Sequence, residues 1–235
     1  MARGDRMGEN YDDYLRDDNL HINWYPGHMK KTKELVQNNL KLVDVVIELL
    51  DARIPYSSKN PQIDQIVGNK PRVVVLNKSD LANPANLSKW VNYYAKKGIK
   101  AIPVSTTKGN GVNKIIEECK NVTREMMDNL KAKGRTERAI RVMIVGVPNV
   151  GKSTLINKLT GRKSTQTGDK PGVTKSKQWV RLKGNLELLD TPGILWPKFE
   201  DQEVALNLAF SRAIKDEILD IDTLGLKFIE KLMEI

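Results

Sequence analysis

The sequence predicts a three-layer α/β domain built on a mostly parallel sheet, and three observations predict it. Apolar, β-branched runs alternate with helical patterns along the chain; one run opens directly into a Gly-x-x-x-x-Gly-Lys-Ser stretch; and two late runs are parted only by a short turn. Runs too apolar to own a solvated face belong to a sheet covered on both sides.

Taken in order, residues 26–43 form a helical pattern with a basic face. Strands are expected at 43–51, 71–77, 100–105, 141–146, 176–182 and 186–190, with helices near 60–68, 85–97, 111–131 and 152–160. The turn "LKGN" joins the last two strands into a hairpin, so the parallel sheet gains one antiparallel edge. Beyond Asp190 the chain passes through "TPGILWPKFE" into two further helical patterns, 201–214 and 222–235. The expected organisation is an acidic flexible tail over 1–20, the α/β domain over 21–200, and the start of a separate C-terminal helical region over 201–235.

The 235 residues suffice for a sizeable core. The net charge is +10, and because residues 1–20 carry −3, the remainder carries +13. Such an excess fits a polyanionic partner, since basic side chains release counterions from phosphate backbones; a merely solvated basic surface is the alternative. The stretch 120–141 has seven basic residues against three acids and divides between the same readings. Cys119 is the only cysteine, which excludes an intrachain disulfide framework and fits a reducing, cytoplasmic setting; its helical neighbours make it a structural thiol. No apolar run approaches the length of a membrane span, and the N-terminus lacks the apolar stretch of a signal peptide. The four tryptophans are scattered and read as packing or loop anchors.

"GVPNVGKS", Gly146 to Ser153, lies between a strand and a helix. Gly146 and Gly151 let the backbone curl so that its amides meet phosphate oxygens at a helix N-terminus, with Val150 and Thr154 beside the cradle. Lys152 is suited to the β- and γ-phosphates and Ser153 to Mg²⁺. "LLDTPG" ends a strand in Asp190, suited to Mg²⁺ through water, and Gly193 can bring its amide to a γ-phosphate. The intervening "TGDKPGVTKS" offers Thr174 as a Mg²⁺ ligand, with Thr165 and Thr167 as competitors. "NKSD", Asn77, Lys78, Ser79 and Asp80, closes a buried strand, and Asp80 can accept from both N1–H and the exocyclic amine of guanine. A plain helix cap or turn is the other reading of that tetrad. The next strand ends in "VSTTKGNG", whose Ser105 and Thr106 suit the far side of the base.

These marks, with "NWYPGHMKKT" (23–32), "DARIP" (51–55), "DKPGVTK" and "LLDTPGILWPK", resemble the circularly permuted GTPases of the YlqF type, the ribosome biogenesis GTPase A family. The resemblance covers about 21–200 and implies a Ras-like P-loop GTPase domain in which the base-reading loops precede the phosphate loop. It also implies GTP hydrolysis, slow alone and stimulated by the ribosomal particle, coupled to maturation of the large ribosomal subunit. The implied cofactors are GTP or GDP, Mg²⁺ and K⁺; the implied partners are a large-subunit precursor and its rRNA, with no membrane and a monomeric protein off the ribosome. The family favours Thr174, after Pro-Gly, over its competitors. It usually carries a longer C-terminal helical RNA-binding region, so a truncated chain and a short member are both open. Two rivals stand beside this reading: an RNA-binding assembly factor gated by nucleotide occupancy, and a permuted GTPase of the small subunit.

Two positions bear on hydrolysis. Ile194 stands where many GTPases have a water-orienting Gln, which leaves His28 as the candidate; a structural His or an RNA phosphate contact are its other readings. Asn149 resembles the phosphate-loop Asn of cation-stimulated GTPases, which helps to bind K⁺, against an Asn that only shapes the loop. Asp51 and Arg53 are expected to form a structural ion pair or a cap rather than to take part in catalysis.

Overall fold

The structure is a computed structural model and describes residues 36–136, 138–161, 179–189, 201–214 and 221–234. Among these residues six strands form one sheet: β1 (Val45–Asp51), β2 (Arg72–Asn77), β3 (Lys100–Val104), β4 (Ile140–Gly146), β5 (Trp179–Leu182) and β6 (Leu186–Leu189). Their order is β3-β2-β1-β4-β6-β5, parallel except where β5 runs antiparallel to β6. The helices are α1 (Pro55–Ser58), α2 (Ile63–Val67), α3 (Pro84–Lys96), α4 (Val112–Ala132), α5 (Lys152–Thr160), α6 (Gln202–Phe210) and α7 (Ile221–Met233). Residues 36–40 are also helical. Within the described residues the expected strands and helices are present, the helix expected over 26–43 being described only at 36–40, and α1 is the addition. Four residues are too few to show a helical period, although the proline at its start is a recognisable signal.

Every residue of β1 is buried, because the strand pairs on both sides and helices cover both faces. Val45, Ile47 and Leu49 join one cluster with Ile115 and Cys119 of α4 and Leu155 and Leu159 of α5. On the other face Val46 packs with Val36, Leu40, Ile63, Ile66 and Met143, while Leu50 packs with Leu76 and Tyr94. Ala205, Leu208, Ala209, Ala213 and Ile214, on and just after α6, belong to the same cluster as β1 and β4. Polar side chains close the helix starts: Asn83 accepts from the amides of Ala85 and Asn86, and Asp201 from those of Glu203 and Val204. In the hairpin, Gly184 and Asn185 both take positive φ, 74° and 62°.

Cys119 is fully buried, and burial pushes its thiol up to about 12, which suits packing rather than nucleophilic chemistry. Two of the basic residues in 120–141 have structural partners: Arg138 forms a two-pronged pair with Asp44, at 2.7 and 2.8 Å, and Arg141 lies over the Trp179 ring at 4.9 Å. Trp90 packs beside Tyr93 and Tyr94. Among the described residues, no helix is long and apolar enough to cross a membrane.

Candidate functional site

The register brings the C-terminal ends of four parallel strands to one sheet edge. Leu49 stands opposite Gly146, Asp51 opposite Asn77, and Asn77 opposite Val104. Loops that are up to a hundred residues apart in the chain therefore rise side by side, where open α/β sheets bind ligands.

The loop between β4 and α5 is shaped from below. A Cβ on Gly146 would sit 2.5 Å from the Leu49 carbonyl oxygen, so only glycine lets this strand end lie so close to β1. Val147 and Val150 are buried in the core and pin the loop, while Gly151, with φ 103°, turns it into α5. A Cβ on Gly151 would collide with Asn77 Nδ2. Lys152 opens α5 half-buried, and Ser153 and Thr154 are exposed on its first turn. The geometry suits an anion: a glycine-lined cradle at the N-terminus of a nine-residue helix, with a lysine and two hydroxyls at its mouth.

Asn77 is the tie between this cradle and the base-side loops. Its Nδ2 donates to the Val150 carbonyl at 2.7 Å, and its Oδ1 accepts from the Thr106 amide at 3.2 Å. Both ends of the buried amide are thus spent on protein, a role as strap that the sequence alone did not reveal. Lys78 takes a left-handed backbone (φ 60°), and its Nζ lies 3.0 Å from Asp51 Oδ2. Asp51 also accepts from Arg53 Nε, Nη2 and backbone N at 2.9, 2.7 and 3.0 Å, so the expected ion pair is present and extends to Lys78. Burial alone would raise the Asp51 carboxyl, but these donors hold it below the usual carboxylate range.

Ser79 opens the 3₁₀ turn Ser79–Leu81, which carries Asp80. A hydrogen bond from Ser105 and the nearby Lys108, Nζ at 3.3 Å, hold Asp80 below its ordinary range, so the carboxylate stays ionised and able to accept two N–H donors. Ser105 and Thr106 are buried at the end of β3. Lys108 is the residue that sequence reasoning missed; its place in "STTK" was the available signal. Asn149 also has positive φ, 56°, and its Nδ2 donates to the Arg212 carbonyl at 2.6 Å. His28, Thr174, Asp190 and Gly193, with Thr165 and Thr167, lie outside the described residues.

A phosphate cradle strapped to a guanine-type tetrad, on a sheet whose base-side strands come first in the chain, defines a circularly permuted P-loop GTPase domain. Comparison with known proteins gives the finer placement. The family described as 50S ribosome-binding GTPase matches residues 141–230. Ribosome biogenesis GTPase A of Bacillus cereus is 53% identical over 213 residues, covering 89% of this chain and 72% of that protein. Mitochondrial ribosome-associated GTPase 1 of Mus musculus is 37% identical, covering 86% of this chain and 64% of that protein. The crystal structure of GNP-bound YlqF from T. maritima superposes with a TM-score of 0.63 at 29% identity, covering 85% of this chain and 73% of that one. The chain belongs to the ribosome biogenesis GTPase A family, the YlqF type, and is a GTPase.

Proposed function

We propose that this GTPase is a switch that engages pre-ribosomal particles through rRNA and assists late assembly of the large ribosomal subunit, in the cytoplasm and as a monomer off the ribosome. The single observation that carries the switch is the Asn77 strap, which couples the base-reading loops to the phosphate cradle. The ribosomal part is supported by the names of the relatives and by the +10 charge, which suits rRNA. Residues 21–200 are the nucleotide machinery and the helices beyond them the RNA-contacting output, with the acidic tail 1–20 outside both.

In this reading Asp80 reads guanine, flanked by Asn77, Lys78, Ser79, Ser105 and Thr106. Gly146, Val150, Gly151 and Thr154 line the phosphates, and Lys152 neutralises their charge; the collisions a Cβ would meet at Gly146 and Gly151 support that cradle. Ser153, Thr174 and Asp190 would hold Mg²⁺, which when bound neutralises charge on β- and γ-phosphate oxygens. Asn149 would hold K⁺, Gly193 would meet the γ-phosphate, and His28 would orient the attacking water. Ile194 cannot replace a glutamine, so turnover is slow until a particle stimulates it.

Asp80→Asn should move preference from guanosine to xanthosine nucleotides, and equal hydrolysis of ATP and GTP by the unmodified protein would remove the guanine reading. Cosedimentation with isolated subunits should favour the large subunit with a non-hydrolysable GTP analogue over GDP; preference for the small subunit would overturn the assignment. Unchanged particle-stimulated phosphate release in His28→Ala would take the histidine out of the reaction.

A further inference from the structure

Four non-glycine residues among those described take positive φ, and two of them, Asn149 and Arg212, meet each other although 63 residues apart. Asn149 lies in the phosphate loop. Arg212 lies just past the C-terminus of α6, in a turn closed by two backbone bonds: the Arg212 amide donates to Ala209 O at 2.9 Å and the Ala213 amide to Leu208 O at 2.8 Å. That pair of bonds is the Schellman ending of a helix, whose left-handed position is usually glycine. Here an arginine holds it at φ 59°, and buried Ala213 and Ile214 anchor the turn in the core.

The turn directs a carbonyl oxygen at Asn149. A carbonyl can only accept, so it takes the Nδ2 end of the amide and sets the side chain's orientation, leaving Oδ1 as the end able to meet a cation. A second bond holds the same helix to the base side: Asn207 Nδ2 donates to Ser57 Oγ at 3.1 Å, next to Ser58, whose hydroxyl accepts from the Asp51 amide at 2.9 Å. Helix α6 is therefore hydrogen-bonded to the phosphate loop at its end and to the Asp51 loop along its side.

We propose that the Arg212 carbonyl is a positioning group for Asn149: it presents Asn149 Oδ1 to a monovalent cation at the phosphates and makes the α6 turn respond to the nucleotide state. The cation half rests on the reading of Asn149 as a K⁺ ligand; the link between loop and turn does not. Helix α7, which meets α6 through Phe228 on Phe210 and Lys231 on Glu203, then receives the state of the phosphate loop through one hydrogen bond.

The test compares Arg212→Gly with Arg212→Ile in the full chain. Both remove the arginine side chain, but glycine keeps the left-handed turn and a β-branched residue cannot hold it. Arg212→Gly should keep the unmodified protein's K⁺ activation of GTP hydrolysis. Arg212→Ile should need about tenfold more K⁺ for half-activation, with its maximal rate recovered at saturating K⁺, as expected for loss of one orienting bond. Equal K⁺ requirements in the two variants would overturn the proposal. Absence of any K⁺ activation in the unmodified protein would remove the cation reading alone. The link is then decided by hydrogen exchange at the Arg212 and Ala213 amides: slower exchange on loading with a non-hydrolysable GTP analogue supports it, and indifference overturns it. That measurement needs no variant, so a failure of Arg212→Ile to fold leaves the question decidable.

Discussion

Asp51 and Glu48 lie three residues apart on the same buried strand, and their surroundings differ in kind. Asp51 ends β1 among the loops and has four donor contacts from Arg53 and Lys78; its carboxyl is held below the usual range. Glu48 points to the other face of the sheet, where both its carboxylate oxygens lack a hydrogen bond. Arg72 Nη1 stands 3.3 Å from it but donates instead to Asp64 at 2.7 Å. Burial pushes Glu48 up to about 7, against the partial pull of Arg72 and Lys59. A small cavity of about 10 Å³ beside it, lined also by Ser58, Asn60 and Gly146, has room for one water. Tyr94, whose buried hydroxyl is likewise unpartnered, has its pKa raised by burial and then by Glu48. The difference teaches that a buried acid is stabilising only where the chain supplies donors, and this fold supplies them at the loop end of the strand.

The strongest test of that contrast is Asp51→Ala, which strands Arg53 and Lys78. It should cost about 3–5 kcal/mol in urea unfolding at neutral pH. Because the Asp51 pKa is depressed, its contribution is full above the ordinary aspartate range and is lost as the pH falls below that range through the folded carboxyl's lower pKa, so the deficit should shrink in strong acid. A loss that does not change with pH would break the contrast.

Glu48→Gln should act in the opposite sense. The folded carboxyl holds its proton up to about 7 while the unfolded one releases it near 4.5, so the fold weakens as pH rises between those values and not beyond. The substitution should add about 3 kcal/mol at most at pH 8 and almost nothing at pH 4.5. Equal effects at the two pH values would remove Glu48 as the titrating group.

Asn77→Ala tests the partnered side again, because it leaves the Val150 carbonyl and Thr106 amide without their bonds. We expect about 2–3 kcal/mol of lost GDP affinity, read by calorimetry. The smallest effect is at Arg212→Gly, where relief of the left-handed backbone should stabilise the protein by about 1 kcal/mol in thermal unfolding. A destabilisation there would mean that the arginine side chain outweighs its backbone cost.

Much of the fold was legible because its signals are local. Apolar runs such as Val73 to Leu76 announce buried strands, Asn83 caps α3, and Gly146, Gly151, Lys152 and Ser153 spell a phosphate loop through dihedral freedom and functional groups within eight residues. The four-residue α1 escaped, being barely one turn long and so too short for a helical period to repeat. The individual loops of the site were readable for the same reason. Their linkages were not: Asn77 meets Val150 at a separation of 73 residues, and Asn149 meets Arg212 at 63. A side-chain amide shows in its sequence that it can donate and accept, but strand order and register choose its partners. The same holds for the acids of β1. The sequence by itself determined that Glu48 and Asp51 would sit on a buried strand and face opposite ways. Only the packing of α1, the Asn77 loop and Arg72 around that strand decided that one charge is solvated by protein and the other is not.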